Sequence, residues 1–110
     1  MLSWKTAHEL MLTMPHAEER DHFGAPSFRV RGKIFAQLSR PNSDNERALV
    51  KLSPSDQDAL MRSAPETFSA APHWGRHGWT YVQLATVSKS ALHELVLKSW
   101  RSVAPTNLKK

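Results

Sequence analysis

The chain has 110 residues, 40% hydrophobic and 8% aromatic, with 15 Lys+Arg against 10 Asp+Glu for a net charge of +5. That length suits one domain with one modest core, and four tryptophans in so short a chain argue against global disorder. There is no cysteine, which excludes disulfides, thiolate catalysis and Cys-based zinc or iron–sulfur sites.

No apolar run approaches the roughly 18 residues of a membrane span, and the Met1–Lys5 segment lacks a signal-peptide pattern. A cytoplasmic protein without membrane attachment is therefore expected. The charge is uneven. Residues 1–28 carry Lys5 and Arg20 against Glu9, Glu18, Glu19 and Asp21. Residues 29–51 carry Arg29, Arg31, Lys33, Arg40, Arg47 and Lys51 against only Asp44 and Glu46. A basic cluster of this kind attracts polyanions through long-range attraction and counterion release, although a modest net charge also serves solubility alone.

In chain order, Leu2, Trp4, Ala7, Leu10, Met11 and Met14 recur at helical spacing behind Ser3, an N-cap, and Pro15 ends the helix. Residues 16–26 show no periodicity and hold Gly24 and Pro26, so they read as a loop. Phe28 and Val30 alternate with Arg29 and Arg31, Gly32 supplies a tight turn, and Ile34, Ala36 and Leu38 face inward on a return strand. A third strand alternates Ala48, Val50 and Leu52 with Arg47, Leu49 and Lys51.

Ser53-Pro54 then opens a short helix with Ala59, Leu60 and Ala64 inward, and Pro65 stops it. Residues 66–78 are mostly loop, with room for a short strand near Phe68. Residues 79–84 form an aromatic, β-branched strand. Ser88 caps a last helix bearing Leu92, Leu95, Val96, Trp100 and Val103. The expected fold is α+β: two layers, an antiparallel sheet covered on one face by helices, in the order α-β-β-β-α-(β)-β-α. Residues 1–104 make one domain, and 105–110, ending in Lys109-Lys110, a flexible basic tail.

The run Phe23-Gly24-Ala25-Pro26-Ser27-Phe28-Arg29-Val30-Arg31-Gly32-Lys33-Ile34-Phe35-Ala36, behind the acidic segment Pro15-His16-Ala17-Glu18-Glu19, resembles the YjbR/MmcQ family of small bacterial proteins. So do the late element His73-Trp74-Gly75-Arg76-His77-Gly78-Trp79 and the Ser99-Trp100 pair near the end of the last helix. The resemblance spans almost the whole chain. It implies a fold like that of secretion chaperones, also likened to frataxin, in the order α-β₃-α-β₂-α. It also implies the family's usual description as DNA-binding.

Sites of chemistry are sparse. His16, Glu18, Glu19, Asp21 and His22 could hold a divalent ion only if they converged, and His73 and His77 have a helical spacing in a segment whose glycines disfavour a helix. No metal or other cofactor is expected. No phosphate loop, dinucleotide fingerprint or nucleophile elbow occurs, so the protein is expected not to be an enzyme. The candidate nucleic-acid site is Arg29, Arg31, Lys33, Arg47 and Lys51 on the outward sheet face, with Trp74, Arg76 and His77 in an aromatic-basic loop that could stack bases and meet phosphates. Trp79 is expected in the core.

The expected partner is nucleic acid, DNA in the first place, bound by a monomer or weak homodimer. A protein- or peptide-binding module, with outward Phe35 and Leu49 marking an apolar patch, is the alternative. A small-ligand cleft between residues 16–26 and 72–78 is a third possibility.

Overall fold

The structure, a computed structural model, describes residues 2–108. Three helices, α1 (Trp4–Leu12), α2 (Pro54–Ser63) and α3 (Lys89–Val103), accompany one six-stranded antiparallel sheet. The strands β1 (Glu18–His22), β2 (Ala25–Val30), β3 (Lys33–Leu38), β4 (Arg47–Lys51), β5 (Phe68–Ala70) and β6 (Trp79–Gln83) lie in the order β1-β2-β3-β4-β6-β5. The architecture is the expected α+β, with one strand more than the expected order.

Each helix starts where its cap places it. The Oγ atoms of Ser3, Ser53 and Ser88 accept from the backbone N–H groups of Thr6, Asp56 and Ala91, all at 3.1 Å. Each cap satisfies an N–H that the first helical turn leaves without a partner. α1 and α3 lie together on one face of the sheet. There Ala7, Met11, Leu92, Leu95, Val96 and Trp100 pack with Phe28, Val30, Leu38, Val50 and Val82. The indoles of half-buried Trp4 and buried Trp100 find acceptors, Trp4 on the Ser39 carbonyl at 2.8 Å and Trp100 on the Pro15 carbonyl at 2.9 Å, as indoles withdrawn from water usually do.

The extra strand is β1, in the segment expected to be a loop. Phe23 and Gly24, with φ of 55° and 84°, form a two-residue turn that pairs His22 with Ala25 and Glu18 with Arg29. Positive φ at both central residues is the mark of a type I′ hairpin, whose twist matches the flanking strands. β1 shows no hydrophobic alternation because, as the outermost strand, neither of its faces is buried. Its charges also blunt a sheet edge that would otherwise invite pairing with another chain. In α2 the buried position is Gln57, followed by half-buried Leu60, Met61 and Ala64, while Ala59 is exposed. The inner face runs 57, 60, 61, 64, one step round from the expected one.

A second correction concerns β3. Phe28 pairs with Ala36 but Arg29 pairs with Ile34, so Phe35 is an extra residue in a bulge. Phe35 and Ala36 are therefore both fully buried, and Ile34 passes to the open face of the sheet. The bulge interrupts the ladder to β4. Ser99 of α3 replaces the missing link: its hydroxyl donates to the Phe35 carbonyl at 2.5 Å and accepts from the Lys51 N–H at 2.8 Å. Thr106–Leu108, expected in a flexible tail, form a short 3₁₀ turn whose Leu108 packs on the core. Lys109 and Lys110, the basic end of that tail, lie outside the described residues.

Ser99→Ala leaves the Phe35 carbonyl and the Lys51 N–H without this partner in the interior, at about 1–3 kcal/mol. A calorimetric melt should show the midpoint falling by roughly 5–15 °C, and a midpoint within a degree of wild type would contradict the role given to Ser99. The Arg31-Gly32 turn offers a second check. Gly32 has φ 82° with nothing within 4 Å of an added Cβ, so backbone strain alone opposes a side chain there. Gly32→Val should cost about 1–2 kcal/mol, read as a shifted urea midpoint with an unchanged m-value.

Candidate nucleic-acid interface

With the helices on one side, alternation sends Arg29, Ile34, Gln37, Arg47, Leu49, Lys51, Trp79 and Tyr81 to the open face, where all are half-buried. Their neighbours Phe28, Ala36, Ala48, Val50, Thr80 and Val82 are buried beneath the helices. Trp79, expected in the core, is thus on the open face, because Thr80 and Val82 occupy the inward positions of β6. Phe35, expected outward, is buried by the bulge, while Leu49 faces outward as expected.

A groove of about 300 Å³ crosses this face. Ile34, Gln37 and Leu49 lie along strands β3 and β4, with Trp74 and Trp79 on one side and His22 of β1 on the other. Trp74 is 64% exposed and Phe23, edge-on to the His22 ring, 82%. The groove therefore lies between the 16–26 and 72–78 segments, with sheet residues from β3, β4 and β6 completing its lining.

The eight residues singled out in the sequence divide into two groups. Arg29, Arg47 and Lys51 share the open face, and Trp74, Arg76 and His77 stand exposed beside it in one 3₁₀ turn (Gly75–His77) and its cap. Arg31 and Lys33 are separate. Arg31 has φ 51° and is the first residue of the β2–β3 turn, not a strand residue, and it borders a small hollow with His16, Ala17 and Glu18. Lys33 is exposed at the same tip, paired with inward Val30. Neither shares the row of Arg29, Arg47 and Lys51.

Arg47 lies over the Tyr81 ring, 3.6 Å from its centroid. Stacking restrains the guanidinium while its N–H edge stays available to an anion. Lys51 stands at the corner, where it also borders a hollow with Lys98 and Arg101 of α3. Extended β1 sends Glu18, Arg20 and His22 to one side and Glu19 and Asp21 to the other, and Glu19 bonds His8 of α1 at 2.8 Å. The segment expected to converge only in the metal reading is thereby spread apart. Among the described residues no three His, Asp or Glu side chains come together.

The Trp74 loop is held from beneath. Buried Gln57 of α2 donates its amide to the Gly75 carbonyl at 3.0 Å, the Trp79 carbonyl at 3.2 Å and Thr80 Oγ1 at 3.0 Å. At Gly78, φ is 94° and a Cβ would come within 1.8 Å of the Leu52 carbonyl oxygen, so the loop passes against β4 only without a side chain. His73, at φ 63°, is the centre of a γ-turn closed by the Trp74 N–H on the Pro72 carbonyl at 2.6 Å. That conformation is rare and strained, and it projects Trp74 outward.

The YjbR family model matches residues 12–102. The chain belongs to the YjbR family. The matched span of this YjbR chain contains the whole sheet, α2 and nearly all of α3. A solved structure, that of the Deinococcus radiodurans protein DR2400 with a DUF419 domain, superposes with a TM-score of 0.83. Its sequence identity is 22%, and the match covers 100% of this chain and 84% of that one. At that identity the likeness speaks for the fold. No curated protein matches the chain.

Sequence reasoning missed His22, Phe23, Ile34, Gln37, Trp79 and Tyr81 as parts of the open face of this YjbR domain. For Trp79 and Tyr81 the signal was present, since Thr80 and Val82 between them make the inward set of an alternating strand. Ile34 had no such signal, because its facing depends on the bulge. Gln57→Ala should loosen the loop without unfolding the domain. By hydrogen exchange, the amides of Gly75, His77 and Gly78 should lose protection by tenfold or more while those of β3 and β4 keep theirs; uniform loss would make Gln57 a general stability residue instead.

Proposed function

We propose that this protein is a non-enzymatic module that binds single-stranded nucleic acid across the open face of its sheet. The observation that carries this reading is the exposed Trp74 beside Trp79, on a groove flanked by Arg29, Arg47, Lys51 and Arg76. Flat aromatic surfaces stack bases whatever their identity, and cations spaced around them meet the phosphates. A stiff duplex keeps its bases stacked on one another, whereas an unpaired strand offers them to such a platform. The lining of the groove is aliphatic, aromatic and amide apart from His22, which favours binding over chemistry.

A second reading has its own observation. Phe23 and Trp74 are both largely exposed at opposite ends of one face, and exposed aromatics are frequent anchors of protein partners. The two readings differ in salt dependence. A strand held by phosphates loses affinity steeply as salt rises, while a peptide held by aromatic anchors does not.

The test compares two triple variants of equal charge on a fluorescent single strand, titrated from low to physiological salt. Arg29/Arg47/Lys51→Ala should weaken binding and flatten the slope of log affinity against log salt by about 0.7 per lost phosphate contact, about 2 in all. Lys5/Arg62/Lys89→Ala removes exposed charges on the three helices and should leave that slope nearly unchanged. Trp74→Ala should weaken binding by about 1–3 kcal/mol with the slope intact. Equal losses from both triples would reduce the attraction to net charge, and wild-type binding weaker than about 10⁻⁴ M at physiological salt would remove the nucleic-acid reading.

A further inference from the structure

Gln37 occupies the middle of the sheet, on β3 between Ser27 of β2 and Leu49 of β4. It is half-buried in the lining of the groove, and its side-chain amide makes no hydrogen bond within the described residues. Gln57, a buried amide, has three acceptors within the protein. The Gln37 amide is part of the groove wall and its polar atoms are not sealed from solvent, so its donor and acceptor are open to the edge of a ligand. Trp74 and Trp79 bring flat ring faces to the same lining, and the cavity of about 300 Å³ sits at the lower end of small-molecule sites.

We infer that the groove receives one unpaired nucleobase, lying against Trp74 and Trp79 with its hydrogen-bonding edge on the Gln37 amide. This rests on the strand-binding reading and deepens it, because stacking and phosphate contacts carry no base preference whereas an amide does. A glutamine offers one donor and one acceptor side by side, the arrangement that pairs with adenine. The same chemistry would take the base of a free nucleotide.

The test uses folded protein, checked by circular dichroism and melting, and octamers of dA, dC and dT followed by tryptophan fluorescence, with adenosine 5′-monophosphate as the free-nucleotide arm. Wild type should rank the octamers with dA first and a spread of about tenfold or more. Gln37→Leu keeps the size of the side chain and removes its polar edge; it should compress the spread to about twofold with the salt slope unchanged. Gln37→Glu, which only accepts, loses the donor that meets adenine N7 and should narrow the lead of dA.

If Gln37→Leu leaves the ranking as it was while the Arg29/Arg47/Lys51 triple still weakens binding, the base site is wrong and strand binding stands. If no octamer binds and the free nucleotide does not either, both fall. Binding of the monophosphate as tight as that of the dA octamer, lost in Gln37→Leu, supports the base site and makes a free nucleotide its occupant.

Discussion

The fold turns on one serine hydroxyl. A bulge puts two consecutive residues of β3, Phe35 and Ala36, into the core, and such a kink leaves backbone groups of the ladder without partners. Ser99 supplies both a donor and an acceptor at that point, joining Phe35 to Lys51 from the middle of α3. A residue without a hydroxyl cannot bridge a carbonyl on one strand and an N–H on the next. Ser99 thus ties the bulge in β3, the adjacent end of β4 and α3 together at one buried point.

The open face follows from that bulge. With Phe35 drawn inward, Ile34 and Gln37 stand beside Leu49, and the strip they form carries no larger side chain to fill it. Residues at either end close the strip into a groove. At one end the type I′ turn of Phe23 and Gly24 brings β1 and His22 alongside. At the other, Gln57 and the clearance at Gly78 seat the Trp74 loop against the end of β4. The two loops are thus rigid for different reasons, one through backbone conformation and one through a buried amide.

Much of this was legible in the sequence where a residue's environment repeats. The three helices, their serine caps, the β2–β3 hairpin and strands β4 and β6 follow from periodicity, because each has one face against the core. β1 was not legible, since a strand exposed on both faces has no alternation to read. The bulge was not either: alternation counted straight through Phe35 assigns it outward, and only its contact with the far α3 helix reverses that. For the site, the cations Arg29, Arg47 and Lys51 were placed correctly on the open face by period alone. Arg31 was misplaced because a type I′ turn takes two residues, so the one before Gly32 already belongs to the turn. Gln37 gave no signal, as its significance lies in the side chains that β4, β6 and the loop bring around it.

The proposed interface divides its work between two forces that neither could carry alone. One stacked base is worth about 1–3 kcal/mol, which falls short of even a millimolar dissociation constant at about 4 kcal/mol. Stacking by itself therefore cannot retain a strand. The cations can, through counterion release, but a phosphate contact is the same on every sequence and fades as salt rises. Because the two contributions add as free energies, the ratio of affinities between bases should hold constant while the total affinity falls with rising salt. As salt approaches physiological strength the electrostatic share shrinks, and the part contributed by Trp74, Trp79 and Gln37 becomes the larger fraction of what remains. Salt therefore tunes how tightly such a surface holds a strand, while the groove sets which base it prefers.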